Sequence, residues 1–313
     1  MDTLLLKHKI QDHMLLGSVY DNIMKRTKYR DPKLAHLYNV MVAQKHRMLY
    51  YKQMKSHYYA DCISERAWEQ EEKKYNPDTV WVCWLQGMDK APQIVRRCVE
   101  ALRKNLPNKK INILDKDNLF DYVDFPDYIV EKWQRGIIGP AHFTDLLRLE
   151  LLIKYGGYWI DATVLCTDDR IFPYIEAEPL FLYSFFYFDF NPEIMQLNNW
   201  FIYSCTNNNI LCLTRELLYA YWKEKNRAVN YFIFHIMMTL ALDYYEEEYK
   251  KIPIISQADA HVLAAYIFDR YEERKYELLK SQTGIHKLST RFDPERMTEK
   301  GTFYDMVIEQ GNW

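Results

Sequence analysis

The stretch Leu151-Leu-Ile-Lys-Tyr-Gly-Gly-Tyr-Trp-Ile-Asp-Ala-Thr-Val-Leu165 lies close to the middle of the 313-residue chain. Apolar residues between Leu146 and Ile153 cover most of a helical surface, which predicts a buried helix ending at Gly156-Gly157, a common helix stop. Aromatic and β-branched residues at 158–160 and 163–165 then predict a strand that is buried on both faces. Such a strand is typical of the sheet of an α/β fold.

Asp161 interrupts this apolar stretch. An ionised carboxylate in a buried strand is costly unless another group pairs with it. The partner could be a metal ion, a ligand rich in hydroxyl groups, or a neighbouring cation such as Arg148. The alternative is an aspartate that only turns the chain at a strand end. The pattern before Asp161 favours a functional carboxylate.

Strand and helix patterns alternate along most of the chain. Predicted strands cover 80–85, 111–114, 180–187 and 198–204, and predicted helices cover 94–102, 128–133, 210–223, 232–245 and 258–271. The alternation predicts an α/β fold with a mainly parallel central sheet and helices on both faces. Ligands bind beyond the carboxyl ends of the strands in such sheets. We therefore expect Leu85–Asp89, Asp115–Asp117 and Asp161–Thr163 to converge on one crevice.

Residues 1–75 differ in composition from the rest of the chain. They contain one glycine and one proline, and eleven lysine and arginine residues face four aspartates before Ser56. We predict a helical N-terminal extension over 1–75 and a main domain over 76–313. The basic extension either lies on an anionic membrane surface or a second subunit, or it packs on the main domain.

Composition narrows the range of function and location. A net charge of −2 argues against a nucleic-acid-binding protein. The six cysteines show no zinc-like spacing, which favours a reducing compartment. The N-terminal residues lack the features of a secretory signal, and the apolar windows 180–190 and 231–242 are shorter than the roughly 18 to 20 residues of a membrane span. We expect a cytoplasmic protein.

Several motifs together resemble a known family. They are Val80-Trp-Val-Cys-Trp-Leu-Gln-Gly87, Ala91-Pro92, Ala141-His-Phe-Thr-Asp145-Leu-Leu-Arg148, Tyr155-Gly-Gly-Tyr-Trp-Ile-Asp161-Ala-Thr-Val164 and His286-Lys287. This ordered set resembles the bacterial capsular polysaccharide synthesis glycosyltransferases, which are related to glycosyltransferase family 32. The resemblance implies a GT-A fold, which is Rossmann-like. Residues 1–75 lie outside the motifs that carry it.

The resemblance also implies roles for individual residues. Expulsion of a diphosphate requires a cation or preorganised donors for the developing negative charge. Asp145 would bind hydroxyls of the donor sugar, Arg148 the sugar or the diphosphate, and Asp161 the ribose or a metal through water. Asp161 and Arg148 are the implied catalytic residues. The implied donor-binding residues are Asp145, Arg148, Asp161, Asn199, Gln86, Trp84 and Lys287.

A divalent metal is implied, but the motif for it is altered. Relatives carry Asp-x-Asp, and the second carboxylate binds Mg²⁺ or Mn²⁺. This chain has Thr163 at that position, and a hydroxyl is a weak ligand for a hard dication. Either Asp161, Thr163 and His286 hold the metal with the diphosphate, or cationic side chains replace it. Lys287 and His286 are candidates for both arrangements, or they form an ordinary strand end.

The implied function is transfer of a sugar, with retention, from a nucleoside-diphosphate sugar, most simply a UDP-sugar. The acceptor would be a glycan or a lipid-linked oligosaccharide in bacterial capsular or other surface polysaccharide synthesis. Such an enzyme would work in the cytoplasm or peripherally at the inner face of the plasma membrane. One alternative is a degenerate glycan-binding or scaffold protein of the same fold. Another is a haloacid-dehalogenase-type phosphatase, which requires a second aspartate where Thr163 stands.

Four further polar residues have ordinary interpretations. His142, Asp189 and His235 lie in apolar surroundings, where we expect structural roles. Asn199 could equally be a turn or cap residue.

Overall fold

The computed structural model describes residues 32–64, 66–185 and 194–313, with side chains described from residue 43 onward. The first part of the predicted extension, the end of the predicted strand 180–187, and Asp189 lie outside these ranges.

The strands of the described ranges form two sheets. They are β1 (Thr79–Cys83), β2 (Lys110–Leu114), β3 (Gly157–Ile160), β4 (Val164–Cys166), β5 (Leu180–Ser184), β6 (Leu197–Ser204) and β7 (Ile285–Lys287). The central sheet has the order β2-β1-β3-β6-β5, and β4 pairs with β7 in a separate ribbon. β1 is parallel to β2 and β3, whereas β6 is antiparallel to β3 and β5. Four central strands therefore share one direction, which confirms the predicted mainly parallel α/β sheet.

Helices cover both faces of this sheet. They are α1 (Pro32–Met54), α2 (Ala60–Ser64), α3 (Gln93–Asn105), α4 (Asp127–Gln134), α5 (Pro140–Tyr155), α6 (Phe172–Ile175), α7 (Asn209–Glu224), α8 (Ile233–Tyr244), α9 (Glu246–Tyr249), α10 (Ala258–Ala265) and α11 (Glu273–Gln282). The predicted helix 258–271 is too long: α10 ends at Ala265, and Arg270 already pairs with Thr302. The apolar pattern does not predict α11, in which Tyr276 is the buried residue.

The residues of β3 explain why both faces of the sheet are apolar. Trp159 packs into the core formed with α5, α7 and α8, whereas Tyr158 and Ile160 pack into the core formed with α3 and α10. All three side chains are at most 2% exposed. A strand between two such cores must be apolar on both sides, as the sequence predicts.

The paired glycines end α5 as predicted. Gly156 and Gly157 have φ angles of +69° and +89°, which are unfavourable for residues with a side chain. The backbone of Gly157 also approaches that of β1, so a Cβ atom there would collide with the carbonyl oxygen of Thr79. Both requirements exclude other residues at Gly157, and they let the helix pass directly into the sheet.

The single strand predicted over 158–165 is wrong, because β3 ends at Ile160 in the central sheet and β4 begins at Val164 in the separate ribbon. The amide of Asp161 donates to the Trp200 carbonyl at 2.9 Å, and the Val164 amide donates back to the Asp161 carbonyl at 2.9 Å. β4 then pairs antiparallel with β7, with Val164 opposite Lys287. Asp161 therefore lies in the turn between the sheets, and the pairing of β4 with β7 brings Lys287 close to it.

The described part of the N-terminal segment packs on the main body. Tyr50, Met54 and Tyr58 are buried in the core that also contains α7 and α8. The Tyr58 hydroxyl donates to Glu224 of α7 at 3.2 Å, and His57 contacts the same carboxylate at 3.0 Å. Residues 43–64 thus share the core of the main body. The boundary at residue 75 and docking on a membrane or a second subunit stay predictions.

Two general features of the chain concern its cysteines and its helices. All six cysteines are free, and five of them are buried, which is usual for small side chains of low polarity. Within the described ranges, no helix combines the length and the apolar character that a membrane crossing requires.

Candidate active site

A cleft of about 510 Å³ opens beyond the carboxyl ends of β1 and β3. Its walls come from five parts of the fold: the segment Cys83–Gln86 after β1, the first turns of α5, the turn after β3, the first half of β6, and the N-terminal end of α8. Lys287 of β7 completes the lining. This is the position at which parallel α/β sheets bind ligands.

The cleft gathers eight of the nine site residues that the sequence predicts. They are Trp84, Gln86, Asp145, Arg148, Asp161, Thr163, Asn199 and Lys287. Three segments were expected to converge on this cleft, and two of them, Leu85–Asp89 and Asp161–Thr163, contribute residues to its lining. Asp115 is not in the lining, since its carboxylate accepts the Asp117 amide at 2.9 Å and caps its own turn.

Arg148 joins the two acidic residues of the cleft. Its guanidinium lies 3.0 Å from Asp145 Oδ1 and 3.7 Å from Asp161 Oδ1, and it donates to the Asn199 carbonyl at 2.8 Å. The guanidinium also lies 4.9 Å from the Trp159 ring centre. The side chain lines the cleft but is only 6% exposed, and its guanidinium orients both carboxylates.

Asp145 has one oxygen that is fully engaged. Its Oδ1 faces Arg148 and also accepts from Asn199 Nδ2 at 2.8 Å. Its Oδ2 lies 3.8 Å from His142 Nδ1, beyond hydrogen-bond distance. The structure thus gives Asn199 a defined role, because its amide holds the carboxylate in place. Oδ2 is the oxygen of Asp145 that remains for a ligand.

Asp161 is paired on both oxygens. Trp159 Nε1 donates to Oδ1 at 2.9 Å, and Lys287 Nζ lies 3.1 Å from Oδ2. Lys287 also donates to Thr163 Oγ1 at 2.6 Å. Burial acts to raise the pKa of Asp161, but the charges of Lys287 and Arg148 outweigh it and hold this pKa below its ordinary value. Asp161 is therefore ionised at neutral pH.

His286 points away from the cleft, because successive residues of a strand face opposite sides. Its Nε2 lies 3.3 Å from Thr167 Oγ1, and its side chain is buried. Burial lowers its pKa to about 4, so the ring is neutral. The structure does not bring His286 together with Asp161 and Thr163. A metal site shared by these three residues stays a prediction, which the pairing of β4 with β7 disfavours.

Two of the lining residues that the sequence did not predict for the site, His235 and Cys83, have side chains that can titrate. His235 lies in the first turn of α8, and its apolar sequence neighbours favour a structural role. It is buried, and its Nδ1 has no hydrogen-bond partner among the described residues. Burial lowers its pKa to about 4. Cys83 forms part of the floor, and burial raises the pKa of its thiol to about 12, so it is a neutral thiol.

One wall of the cleft is aromatic. Tyr231 and Phe232 precede α8, and Phe185 follows β5 on the same wall. Tyr231 is 62% exposed. Exposed rings of this kind offer flat apolar surface with polar edges. The cleft thus combines these rings with the charged side chains of Asp145 and Asp161.

A divalent metal fits the donor set of the cleft poorly. The oxygen atoms at the two positions of the altered motif, those of Asp161 and Thr163, both contact the Lys287 ammonium. A dication prefers carboxylate oxygens and would lie next to a fixed positive charge here. In the part of the chain that the structure describes, no group of three or more His, Cys, Asp or Glu side chains could hold a metal ion.

The fold and cleft define an α/β protein with a charged ligand site at the carboxyl ends of its strands. The chain belongs to the capsular polysaccharide synthesis protein family, whose sequence profile matches residues 31–307. Residues 31–75, which the motifs leave outside the resemblance, are therefore part of the region that the family shares. The relation to glycosyltransferase family 32 and the bacterial origin stay predictions.

Individual relatives match over shorter segments. O-glycosyltransferase braB from Annulohypoxylon truncatum is 34% identical over 106 residues, which are 31% of this chain and 25% of that protein. Glycosyltransferase afumC from Aspergillus fumigatus is 25% identical over 183 residues, which are 54% of this chain and 45% of that protein. The chain thus matches less than half of each relative. The solved PaToxG Glycosyltransferase aligns with 87% of this chain and 97% of its own, with a TM-score of 0.40 and 15% identity.

Proposed function

We propose that this protein is a glycosyltransferase of the GT-A type that uses a nucleoside-diphosphate sugar, most simply a UDP-sugar. One observation carries the proposal: a single cleft at the strand ends holds two oriented carboxylates, a buried arginine and an accessible lysine. Family membership and the names of the two fungal relatives support the same activity.

The donor would lie across the charged wall. Trp84 and Gln86, which follow β1, would contact the nucleoside, and Trp84 Nε1 has no partner among the described residues. Asp145 Oδ2 would accept from hydroxyls of the sugar, because Oδ1 is already engaged. Asp161 would either orient the Lys287 ammonium, which it contacts at 3.1 Å, or accept a hydrogen bond from the ribose. Carboxylates that accept hydroxyl hydrogen bonds are the usual means of fixing a sugar.

Sugar transfer from the donor to the acceptor can proceed without a nucleophile supplied by the protein. The bond between the anomeric carbon and the diphosphate oxygen breaks, and its electron pair leaves with the diphosphate. The acceptor oxygen bonds to the anomeric carbon, and its proton passes to the diphosphate. Cys83 is a neutral thiol and both oxygens of Asp161 are paired, so neither residue favours a covalent intermediate. Retention, which the family resemblance implies, would then proceed by attack from the side of the leaving group.

The acceptor would approach along the aromatic wall. The rings of Tyr231 and Phe232 could pack on a sugar face, which supports a glycan or a lipid-linked oligosaccharide as the acceptor. A role in capsular or other surface polysaccharide synthesis is part of the proposal, as is a location in the cytoplasm or at the inner membrane face. Liposome sedimentation at two salt concentrations tests the membrane contact, and an absence of binding at low salt would exclude it.

The test is release of nucleoside diphosphate from a panel of nucleotide sugars by the purified chain. We expect one donor to be turned over, and Asp161→Ala to lower this turnover by roughly 10²- to 10³-fold because the charged wall loses its anchor. Asp168→Ala is the matched control, since Asp168 also pairs with an arginine, Arg170, at 2.7 Å but lies outside the cleft. Equal turnover by the Asp161→Ala protein would refute the site. If the folded chain bound no nucleotide, the alternative of a degenerate glycan-binding or scaffold protein would be favoured instead.

A further inference from the structure

Among the described residues that line the cleft, Lys287 is the more accessible of the two cationic side chains. It is 18% exposed, compared with 6% for Arg148. Lys287 reaches this position through the pairing of β7 with β4, and the Leu288 amide fixes the strand by donating to the Thr163 carbonyl at 2.9 Å. The ammonium is therefore held by backbone structure at the mouth of the turn that carries Asp161.

The contacts of Lys287 leave it able to bind an anion. Its ammonium has three N–H groups. Within the described residues, one faces Asp161 Oδ2 at 3.1 Å and one faces Thr163 Oγ1 at 2.6 Å. A third N–H remains for a ligand in the cleft. The two oxygens orient the ammonium, as preorganised sites require, so little reorganisation is needed when an anion binds.

The same two oxygens are those that an Asp-x-Asp motif would present to a metal. Thr163 replaces the second carboxylate, which removes the stronger ligand and also the negative charge. A hydroxyl is, however, a good acceptor for an ammonium, and the 2.6 Å contact with Lys287 uses it in this way. The exchange of a carboxylate for a hydroxyl thus matches an ammonium better than a dication.

We infer that Lys287 takes the place of the divalent metal, so that its ammonium binds the diphosphate of the donor and stabilises it as it leaves. This inference rests on the proposed function and specifies its charge-stabilising group. Lys287 would touch the diphosphate directly, whereas Asp161 and Thr163 would position the ammonium. Nucleotide binding then requires no added metal.

The experiment is calorimetric titration of the full chain with UDP, in chelator and in Mn²⁺, with GDP, ADP and CDP as further probes. We expect one nucleotide to bind in chelator, and its affinity to change less than about twofold when Mn²⁺ is added. Lys287→Met should weaken binding by roughly ten- to a hundredfold, since one charge-assisted hydrogen bond to the phosphates is lost. Lys287→Arg should restore part of the affinity because the charge returns.

Lys280→Met is the matched control. Lys280 is a partly exposed lysine, paired with Glu277 at 2.7 Å, and it lies outside the cleft. Its replacement should leave UDP affinity unchanged. Thermal unfolding of each variant shows whether the chain is still folded. Should Lys287→Met not fold, Lys287→Arg and Thr163→Val still test the inference, since Thr163→Val removes one of the two oxygens that orient the ammonium.

A double variant reverses the exchange. Thr163→Asp combined with Lys287→Met recreates two carboxylates and removes the fixed cation, so we expect nucleotide binding to become Mn²⁺-dependent. Direct titration of Mn²⁺, followed by electron paramagnetic resonance, should show a site in this double variant and none in the unaltered chain without nucleotide.

The outcomes separate the two proposals. Nucleotide binding that is lost in chelator and restored by Mn²⁺ in the unaltered chain would overturn the role of Lys287 and leave the glycosyltransferase proposal standing. Unchanged affinity in Lys287→Met would do the same. An absence of binding by any nucleotide, with and without Mn²⁺, would overturn both proposals.

Discussion

Arg148→Met is the substitution that tests the architecture of the cleft most directly. Methionine keeps much of the side-chain length but removes the guanidinium that lies 3.0 Å from Asp145 and 3.7 Å from Asp161. Two carboxylates on one wall then lose the cation between them. Arg148 and Asp145 are 6% and 13% exposed, so the pair is close to fully buried and water can replace little of the lost interaction.

The size of the effect follows from this burial. Removal of one partner of a buried ion pair costs about 3–5 kcal/mol. At about 2 °C per kcal/mol, the expected decrease in Tm is roughly 6–10 °C. Asp161 keeps Lys287 at 3.1 Å, so the loss falls mainly on Asp145. Donor turnover should fall by roughly 10²- to 10³-fold, because the carboxylates that fix the donor are no longer oriented.

The pH dependence distinguishes this explanation from a general loss of stability. Arg148 lowers the pKa of Asp161, so its removal raises this pKa. The ionised carboxylate is the active form in the proposed site, and turnover should therefore begin to fall at a higher pH in the variant. The assay is nucleotide release across the acidic pH range, measured on protein that calorimetry shows to be folded.

Arg215→Met is the matched control. Arg215 also joins two carboxylates, Glu216 at 2.8 Å and Glu150 at 3.5 Å, but it lies outside the cleft. Its replacement should lower Tm without changing turnover per folded molecule or the pH profile. The reasoning would be refuted if the Arg148→Met and Arg215→Met proteins lost stability alike and both kept normal turnover.

Three further predictions follow from single residues. Gly157→Ala should destabilise the chain far more than Gly136→Ala, because both glycines have positive φ but only at Gly157 does the added Cβ meet backbone; thermal unfolding compares them. His235→Phe should raise KM for the donor sugar by about tenfold while leaving Kd for UDP unchanged, as expected if the ring contacts the sugar. His235 and His286 have pKa values of about 4 in the folded chain, so below pH 6.5 the unfolded chain binds more protons than the folded chain. The free energy of unfolding should therefore fall by about 2 kcal/mol for each histidine as the pH drops to about 5. Urea unfolding at several pH values measures this decrease.

Clear results would contradict these predictions. Equal Tm values for the two glycine variants would show that the approach of Gly157 to β1 does not constrain the fold. If His235→Phe weakened UDP binding by the same factor by which it raised KM, the ring of His235 would contact the nucleotide and not the sugar. The double variant His235→Gln/His286→Gln should flatten the dependence of the free energy of unfolding on pH. If that dependence were unchanged, groups other than these two histidines would be responsible for it.

Local patterns were sufficient for much of the sheet and for most of the site. The helix stop at Gly156 and the apolar strand after it depend on backbone sterics and on burial of both faces, and neighbouring residues encode both. Asp145 and Arg148 lie on one helix face because they are three residues apart. The prediction of α10 was less accurate, because the helix ends at Ala265 and the chain after it pairs Arg270 with Thr302, a contact that local pattern does not contain.

The amino-acid sequence by itself determined the alternation of strands and helices, the place of Asp161 within an apolar stretch, and the family motifs around it. Only the tertiary structure decided that β4 leaves the central sheet to pair with β7, that Lys287 rather than His286 faces the cleft, and that His235 lines it. The physical reason is the range of the interactions. Backbone sterics and hydrophobic periodicity act over a few residues, whereas the contact between Thr163 and Lys287 joins positions 124 residues apart and forms only when both cores pack.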